Sequence, residues 1–194
     1  MGKTKKQTCL AICIPTFNRA KLLENLLNNV NKLFPKFDDM IEICISDNHS
    51  SDKTPQVIRK WKNNFSIKSI RQEKNIGATA NLIEVTKLST SKWILLIGDD
   101  DELSVLGLSN VINVLLNAAE GVWFLVDVET KGKRTLLNGI KPGTYKSSKQ
   151  KRNLFRSSNT NGSGLAPYLF ISVHIIPSSA LKVLHDFEVQ KVVP

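Results

Sequence analysis

The chain has 194 residues, 41% of them hydrophobic and 7% aromatic, which suits one globular domain with a single core. No apolar run approaches the roughly 20 residues of a membrane span, and the stretch from Cys9 to Ile14 is too short for a secretory signal. The cysteines, Cys9, Cys13 and Cys44, are odd in number and sit in apolar segments. They read as buried reduced thiols, so a cytoplasmic protein is expected.

Residues 10–15, LAICIP, are a short apolar run ended by Pro15, the pattern of a strand buried on both faces. Leu22, Leu23, Leu26, Leu27, Val30 and Leu33 recur at helical spacing, with Asn18 as the candidate N-cap. Residues 41–46, IEICIS, predict a second strand, and Pro55 opens a helix through Val57, Ile58 and Trp61. A third strand is expected at 67–71, a turn at Asn75-Ile76-Gly77, and a helix from about Thr79 to Lys87. Residues 93–97, WILLI, form another strand, ended by Gly98 and three aspartates.

An amphipathic helix follows over 105–116, then a strand at 122–128, VWFLVDV. From Glu129 to about Ala166 the pattern dissolves into Lys, Ser, Asn and Gly. That composition predicts a long basic loop, with a weak hairpin around Lys141-Pro142-Gly143. A last strand is expected at 168–176, with Ser178 capping a short helix. The order βαβαβαβαβ predicts an α/β fold with a mostly parallel, doubly wound sheet.

The formal net charge is +10, and its placement is uneven. Between Thr130 and His185 there is no Asp or Glu, against ten Lys and Arg. Such a stretch is either a solvated face or a surface for anionic lipid headgroups or a phosphorylated acceptor. Only Tyr145 and Phe155 interleave its central part, so stacking on bases has little support and no nucleic-acid partner is expected.

In an open α/β sheet, ligands bind beyond the carboxyl ends of the strands. Three polar clusters fall there: Thr16, Asn18 and Arg19; Asp47 to Asp52; and Asp99, Asp100 and Asp101. Three adjacent carboxylates raise one another's pKa unless a cation neutralises them. Hard oxygens of this kind suit Mg2+ or Mn2+, which would in turn take phosphate oxygens. A plainer reading is a solvated acidic turn before a helix capped by Ser104. The sequence lacks a P-loop, a G-x-G-x-x-G turn after the first strand and a G-x-S-x-G elbow. His49, His174 and His185 form no defensible triad.

Four segments resemble one family in order. Ile14-Pro15-Thr16-Phe17-Asn18-Arg19 is similar to the IPTYNR opening of family 2 glycosyltransferases, which have the GT-A fold. Glu42 to Thr54 resembles the family's EIIVVDDGSTDxT segment, and Asn75-Ile76-Gly77 through Asn81 its N-x-G…A-x-N stretch. Trp93 to Asp101 resembles its YILxLDxDD strand, in a GDDD form often found in transferases that build bacterial surface polysaccharide.

The resemblance implies an inverting, metal-assisted transfer of sugar from a nucleotide-sugar, with UDP or dTDP favoured. The acceptor would be a polysaccharide or a lipid-linked saccharide, reached at the inner membrane face through peripheral contact with anionic lipid. Thr16 would lie against the nucleotide, with Asn18 and Arg19 near the diphosphate and Asp47 accepting from the base. Pro15, Asn48, Ser50, Asn75, Gly77, Asn81, Asp99 and Asp100 complete the expected donor set. Asp99 and Asp101 spell D-x-D, whereas the tail D-D-x-L sets Asp100 and Asp101 on the family's last two aspartates, so all three are candidate metal ligands. The implied domains are a nucleotide-sugar core over 1–128, the basic arm over 129–166 and the start of an acceptor-side region over 167–194. An inverting enzyme needs a carboxylate base, which the family supplies from an E-D pair beyond that region. Here Asp186 is the candidate catalytic residue, unless the chain is a truncated, non-catalytic domain that only binds nucleotide-sugar.

Overall fold

The computed structural model describes residues 8–37, 39–64, 66–118, 124–125, 128–130, 133–135 and 174–180. Strands β1 (Leu10–Thr16), β2 (Ile41–Asp47), β3 (Ile67–Arg71) and β4 (Trp93–Leu96) alternate with helices α1 (Ala20–Phe37), α2 (Thr54–Trp61), α3 (Ala78–Lys87) and α4 (Val105–Leu116). Strands β5 (Phe124–Leu125), β6 (Val128–Thr130), β7 (Lys133–Thr135) and β8 (His174–Pro177) follow. The main sheet has the order β3-β2-β1-β4-β8-β5. The first four strands are parallel, β8 runs antiparallel to β4, and β5 antiparallel to β8.

Period-2 alternation explains why the strand runs are apolar on both faces. Leu10, Ile12 and Ile14 join Ile43, Ile45, Leu95 and Ile97 beneath α1, α2 and α4. Ala11 and Cys13 join Cys44, Ile94, Leu96 and Ile176 on the other face, against Val85 of α3. All three thiols are free, with Cys13 and Cys44 buried and Cys9 half-buried, as their apolar setting predicts. Cys13 and Cys44 are register partners on β1 and β2. The Cys13 thiol is pushed well up from its ordinary range, first by its hydrogen bond with Cys44 and then by burial.

Several expectations are corrected. Asn18 does not cap α1: its φ is +52°, and its side-chain carbonyl accepts from Ser51 N–H at 2.8 Å. The first turn is served instead by Asp52, whose carboxylate accepts from Ala20 N–H at 3.0 Å. Helix α1 runs on to Phe37, carrying Pro35 in its last turn. Within 122–128 the described strand is only Phe124–Leu125, and the expected strand at 168–176 is described from His174, in the antiparallel sense. Residues 128–135, expected in part as loop, hold the hairpin strands β6 and β7. The hairpin expected around Lys141-Pro142-Gly143 lies outside the described residues, as do most of the basic arm and Asp186.

At the amino-terminal edge of β2, the Glu42 carboxylate is a buried knot. It accepts from Lys68 Nζ at 2.6 Å, Thr90 N–H at 2.7 Å, Ser91 N–H at 2.8 Å and Ser91 Oγ at 2.7 Å. Burial alone would raise its pKa, but the bonds from Lys68, Ser91 and Thr90 outweigh that and hold it at about 2. This knot ties β2, β3 and the loop before β4 together, at the end of the sheet away from the polar clusters.

Candidate functional site

The chain builds outward from β1 through β2 to β3, then crosses back to place β4 on the other side of β1. The order therefore reverses between β1 and β4, and the carboxyl ends of those strands flank the crevice where such sheets take ligands. Thr16 ends β1, Asp47 ends β2 and is its register partner, and Asp99 lies three residues past β4. The three sequence clusters meet there.

Direct bonds join them. Thr16 Oγ1 donates to Asp99 Oδ2 at 2.7 Å, and Arg19 Nη1 to Asp99 Oδ1 at 3.0 Å. Arg19 Nη1 also stands 3.5 Å from Asp100 Oδ2. The Arg19 guanidinium is held above its ordinary pKa, chiefly by the hydrogen bond to Asp99 and then by that carboxylate's charge. Between the β1 and β2 loops, Asn18 N–H donates to Ser50 Oγ at 2.8 Å, and Asn48 N–H to Thr16 O at 2.9 Å. With the bonds to Asn18 and Asp52 already described, the two loops form one platform. Asp52 is held below the usual carboxylate range, because bonds from Thr54 and Ala20 outweigh the upward push of burial.

Asp47 is fully buried. Its Oδ1 accepts from Ser50 N–H at 2.9 Å, and Arg71 Nε lies 3.3 Å from its Oδ2. Arg71 also donates to Ser50 O at 2.9 Å. The sequence reading missed Arg71, although it ends β3 at the same rim; applying the strand-end rule to β3 would have found it. Asn48 reaches sideways to the Asn75 turn, donating to Asn75 Oδ1 at 2.9 Å and accepting from Ile76 N–H at 2.9 Å. Gly77, with φ +85°, precedes α3 in a conformation that would strain any other residue. Asn81 is buried, as are Thr16, Asn48 and Ser50. It accepts from Ser46 Oγ at 2.6 Å and donates to Ser46 O at 3.0 Å, so its part is to fix β2. Pro15 is half-buried in β1 as the partner of Ser46.

The three aspartates play different parts. Asp99 is 3% exposed and turns inward to Thr16 and Arg19. Asp101 Oδ2 folds back to accept from Gly98 N–H at 2.9 Å, while the Asp100 side chain is 59% exposed. Among the described residues, no three His, Cys, Asp or Glu side chains converge as a metal cage. Of the three, Asp99 is bonded to Thr16 and Arg19, and Arg19 also approaches Asp100. Asp100 and Asp101 do share a cradle. A Cβ on Gly98 would stand 2.7 Å from Asp100 Oδ1 and 3.0 Å from Asp101 Oδ2, so a side chain there would push the two carboxylates from their present places. Two carboxylates over a bare Cα are a hard-oxygen donor pair, which fits Mg2+ or Mn2+.

The loop is braced from both sides. Ser104 caps α4, accepting from Gly107 N–H at 2.9 Å, as the sequence predicts. Asn29 of α1 accepts from Leu103 N–H and donates to Leu103 O, both at 3.0 Å. Nothing in the sequence marks this clamp, since Asn29 looks like any polar residue on a helix. A groove of about 400 Å3, lined by Leu22, Asn25 and Lys32 among others, runs from α1 to Asp99–Glu102.

Comparison with known proteins agrees with this architecture. Residues 11–174 match the model of glycosyl transferase family 2. An abequosyltransferase of Salmonella typhimurium is 40% identical over 97 residues, covering 49% of this chain and 29% of the relative. The structure of Staphylococcus aureus TarS 1–349 in complex with UDP-GlcNAc superposes with a TM-score of 0.63 at 20% identity, over 92% of this chain and 48% of that one. The mannosyltransferase PcManGT from Pyrobaculum calidifontis, in complex with GDP-Man and Mn2+, gives 0.63 at 16% identity, over 92% and 47%. These likenesses show the GT-A fold, and the chain spans less than half the length of each of the three proteins. The match over 11–174 covers most of the sequence, and the chain belongs to glycosyl transferase family 2.

Proposed function

We propose that this chain is the donor-binding part of an inverting glycosyltransferase, which moves a sugar from a nucleotide diphosphate-sugar to a polysaccharide or lipid-linked acceptor. The observation that carries this is the joining of the β1 and β4 ends through Thr16, Asp99 and Arg19 at the reversal of strand order, with the β2 loop tied on through Asn48 N–H to Thr16 O and Asn18 N–H to Ser50 Oγ. In the proposed arrangement Thr16, Asn48 and Ser50 line the nucleotide, Arg19 faces the diphosphate, and Asp100 and Asp101 hold Mg2+ or Mn2+. A bound cation there supplies charge neutralisation for the departing diphosphate. The proposed domains are the donor core over 1–128, the basic arm over 129–166 and the beginning of the acceptor side over 167–194.

Asp47 and Arg71 form the base end. Uracil and thymine offer one N–H between two carbonyl oxygens, which matches a carboxylate beside a guanidinium. This favours UDP or dTDP. Arg71 is half-exposed and can turn outward, opening Asp47 Oδ2 to the base. Isothermal titration of UDP, dTDP and GDP with Mn2+ present tests the reading: UDP and dTDP are expected to bind, and binding by none of the three rejects it. Asp47→Asn keeps an acceptor for Ser50 N–H but loses the charge that holds Arg71. UDP affinity should fall by about 1 kcal/mol, the worth of one hydrogen bond. The same loss is expected with and without Mn2+, and a change in metal dependence would move Asp47 to the diphosphate end.

A second reading, a nucleotide-sugar-binding domain without transfer, is favoured by the lack of any acidic residue between Thr130 and His185. The two differ in turnover alone. Transfer or donor hydrolysis that is lost in Asp186→Asn supports the enzyme with Asp186 as its base.

No helix among the described residues is long and apolar enough to cross a membrane. We place the protein in the cytoplasm, in peripheral contact with anionic lipid through Lys146, Lys149, Lys151, Arg152 and Arg156. Each such residue contributes about 1 kcal/mol near an anionic leaflet, within a Debye length of roughly 8 Å. The protein should sediment with phosphatidylserine vesicles at low salt and not with neutral ones. Equal retention on both kinds of vesicle would remove the electrostatic contact.

A further inference from the structure

Both buried aspartates of the site already have a counterion. Arg71 lies over Asp47, and Arg19 lies over Asp99 and reaches Asp100. The two arginines are 48% and 49% exposed, so each has one side against the protein and the other open to solvent. Arg19 is the more consequential, because its partners border the cradle over Gly98. The same Nη1 is 3.0 Å from Asp99 and 3.5 Å from Asp100. Its position is also fixed. It follows Asn18, whose left-handed backbone is tied to Ser50 and Ser51, and its own carbonyl accepts from Leu23 N–H at 3.0 Å.

Resting on the donor-site reading above, we infer that Arg19 is a resident counter-cation that competes with the divalent metal for the acidic loop until a nucleotide diphosphate arrives. Without nucleotide, a metal at Asp100 and Asp101 meets a guanidinium on the same carboxylate, and like charges at that range repel. With nucleotide, the diphosphate gives Arg19 an anion to pair with bidentately. The guanidinium then leaves Asp100, and the repulsion becomes attraction to the same phosphates. Metal and nucleotide therefore bind together, while metal alone binds weakly. Thr16 stays on Asp99 throughout, so Asp99 acts as the anchor to which Arg19 is returned after the nucleotide leaves.

The test is Mn2+ binding to the full chain, followed by the electron paramagnetic resonance of free Mn2+, with and without UDP. In the parent, UDP should strengthen Mn2+ binding strongly. In Arg19→Met, Mn2+ alone should bind about tenfold tighter than in the parent, the effect of removing one nearby positive charge. UDP should then strengthen Mn2+ binding less than it does in the parent. Arg19→Lys, which keeps the charge, should bind Mn2+ alone as weakly as the parent and guards against a general disturbance of the loop. Mn2+ affinity without UDP that is the same in Arg19→Met and the parent, while UDP still promotes binding in the parent, overturns the inference and leaves the donor site standing. Absence of Mn2+ binding in the parent even with UDP overturns both.

Discussion

Asp100→Ala is expected to weaken Mn2+-dependent UDP binding severely while leaving the thermal midpoint almost unchanged. The Asp100 side chain is mostly exposed, and its charged contact is the 3.5 Å approach of Arg19. Exposed pairs of this kind contribute little to stability, so the midpoint should move by no more than about 2 °C. Its part in the cradle over Gly98 is a different matter. A unit charge roughly 4 Å from a divalent cation is worth about 2 kcal/mol even at the dielectric of bulk water, and more in a crevice. The loss is therefore about thirtyfold or greater. Asp101→Ala should be worse in two respects, since it also removes the acceptor for Gly98 N–H. It should lose metal-dependent binding and about 1 kcal/mol of stability. Titration calorimetry with and without Mn2+, beside thermal melts, separates the two effects. Metal-dependent affinity that survives in Asp100→Ala would remove that residue from the metal site.

The second large effect is expected at Glu42, far from that chemistry. Its carboxyl has an ordinary pKa of 4.5 and is held at about 2 in the fold. A difference of this size corresponds to about 3 kcal/mol at 1.36 kcal/mol per unit. The depressed value makes the contribution full above pH 4.5, and it is lost as the pH falls towards 2. Glu42→Gln, which keeps the shape and removes the charge, should unfold at lower urea near pH 7. Its deficit against the parent should shrink as both are taken towards about pH 2. A deficit that does not change with pH would mean that packing, not charge, is what Glu42 supplies. UDP binding at neutral pH should be the same in both, because the knot stands at the other end of the strands.

Much of this was legible in the sequence, for physical reasons. Strands β1, β2 and β4 are apolar on both faces because helices cover both sides, and no amphipathic helix has that pattern. Helix α4 announces itself through the apolar spacing of Leu108, Ile112 and Leu115 after the capping Ser104. The rim clusters follow from the rule that ligands sit at strand carboxyl ends. What the sequence hid was tertiary. Asn18 has the chemistry of an N-cap, but the cap comes from Asp52, 32 residues from Ala20. The orientation of β8 could not be read, because an apolar run looks the same in either direction. Strands β6 and β7 are three residues each, too short to show a period. The unequal duties of Asp99, Asp100 and Asp101 depend on Thr16 and Arg19, residues 80 or more positions away.

The antiparallel placement of β8 decides where the chain can vary. Strand β5 runs alongside β8, with Leu125 paired to His174 and Phe124 to Ile175. Leu125 is the last described residue of one strand, and His174 is the first of its neighbour. The 48 positions between them therefore start and finish side by side on one edge of the sheet. Ends held in that way allow the stretch between them to be exchanged. It can lengthen, shorten or change its charge at a closure cost that grows only with the logarithm of its length, without moving a strand of the parallel half. Strands β1 to β4, with the acidic loop and its arginine, form a fixed handle, and on the proposed reading different stretches on the same handle would suit it to different acceptors.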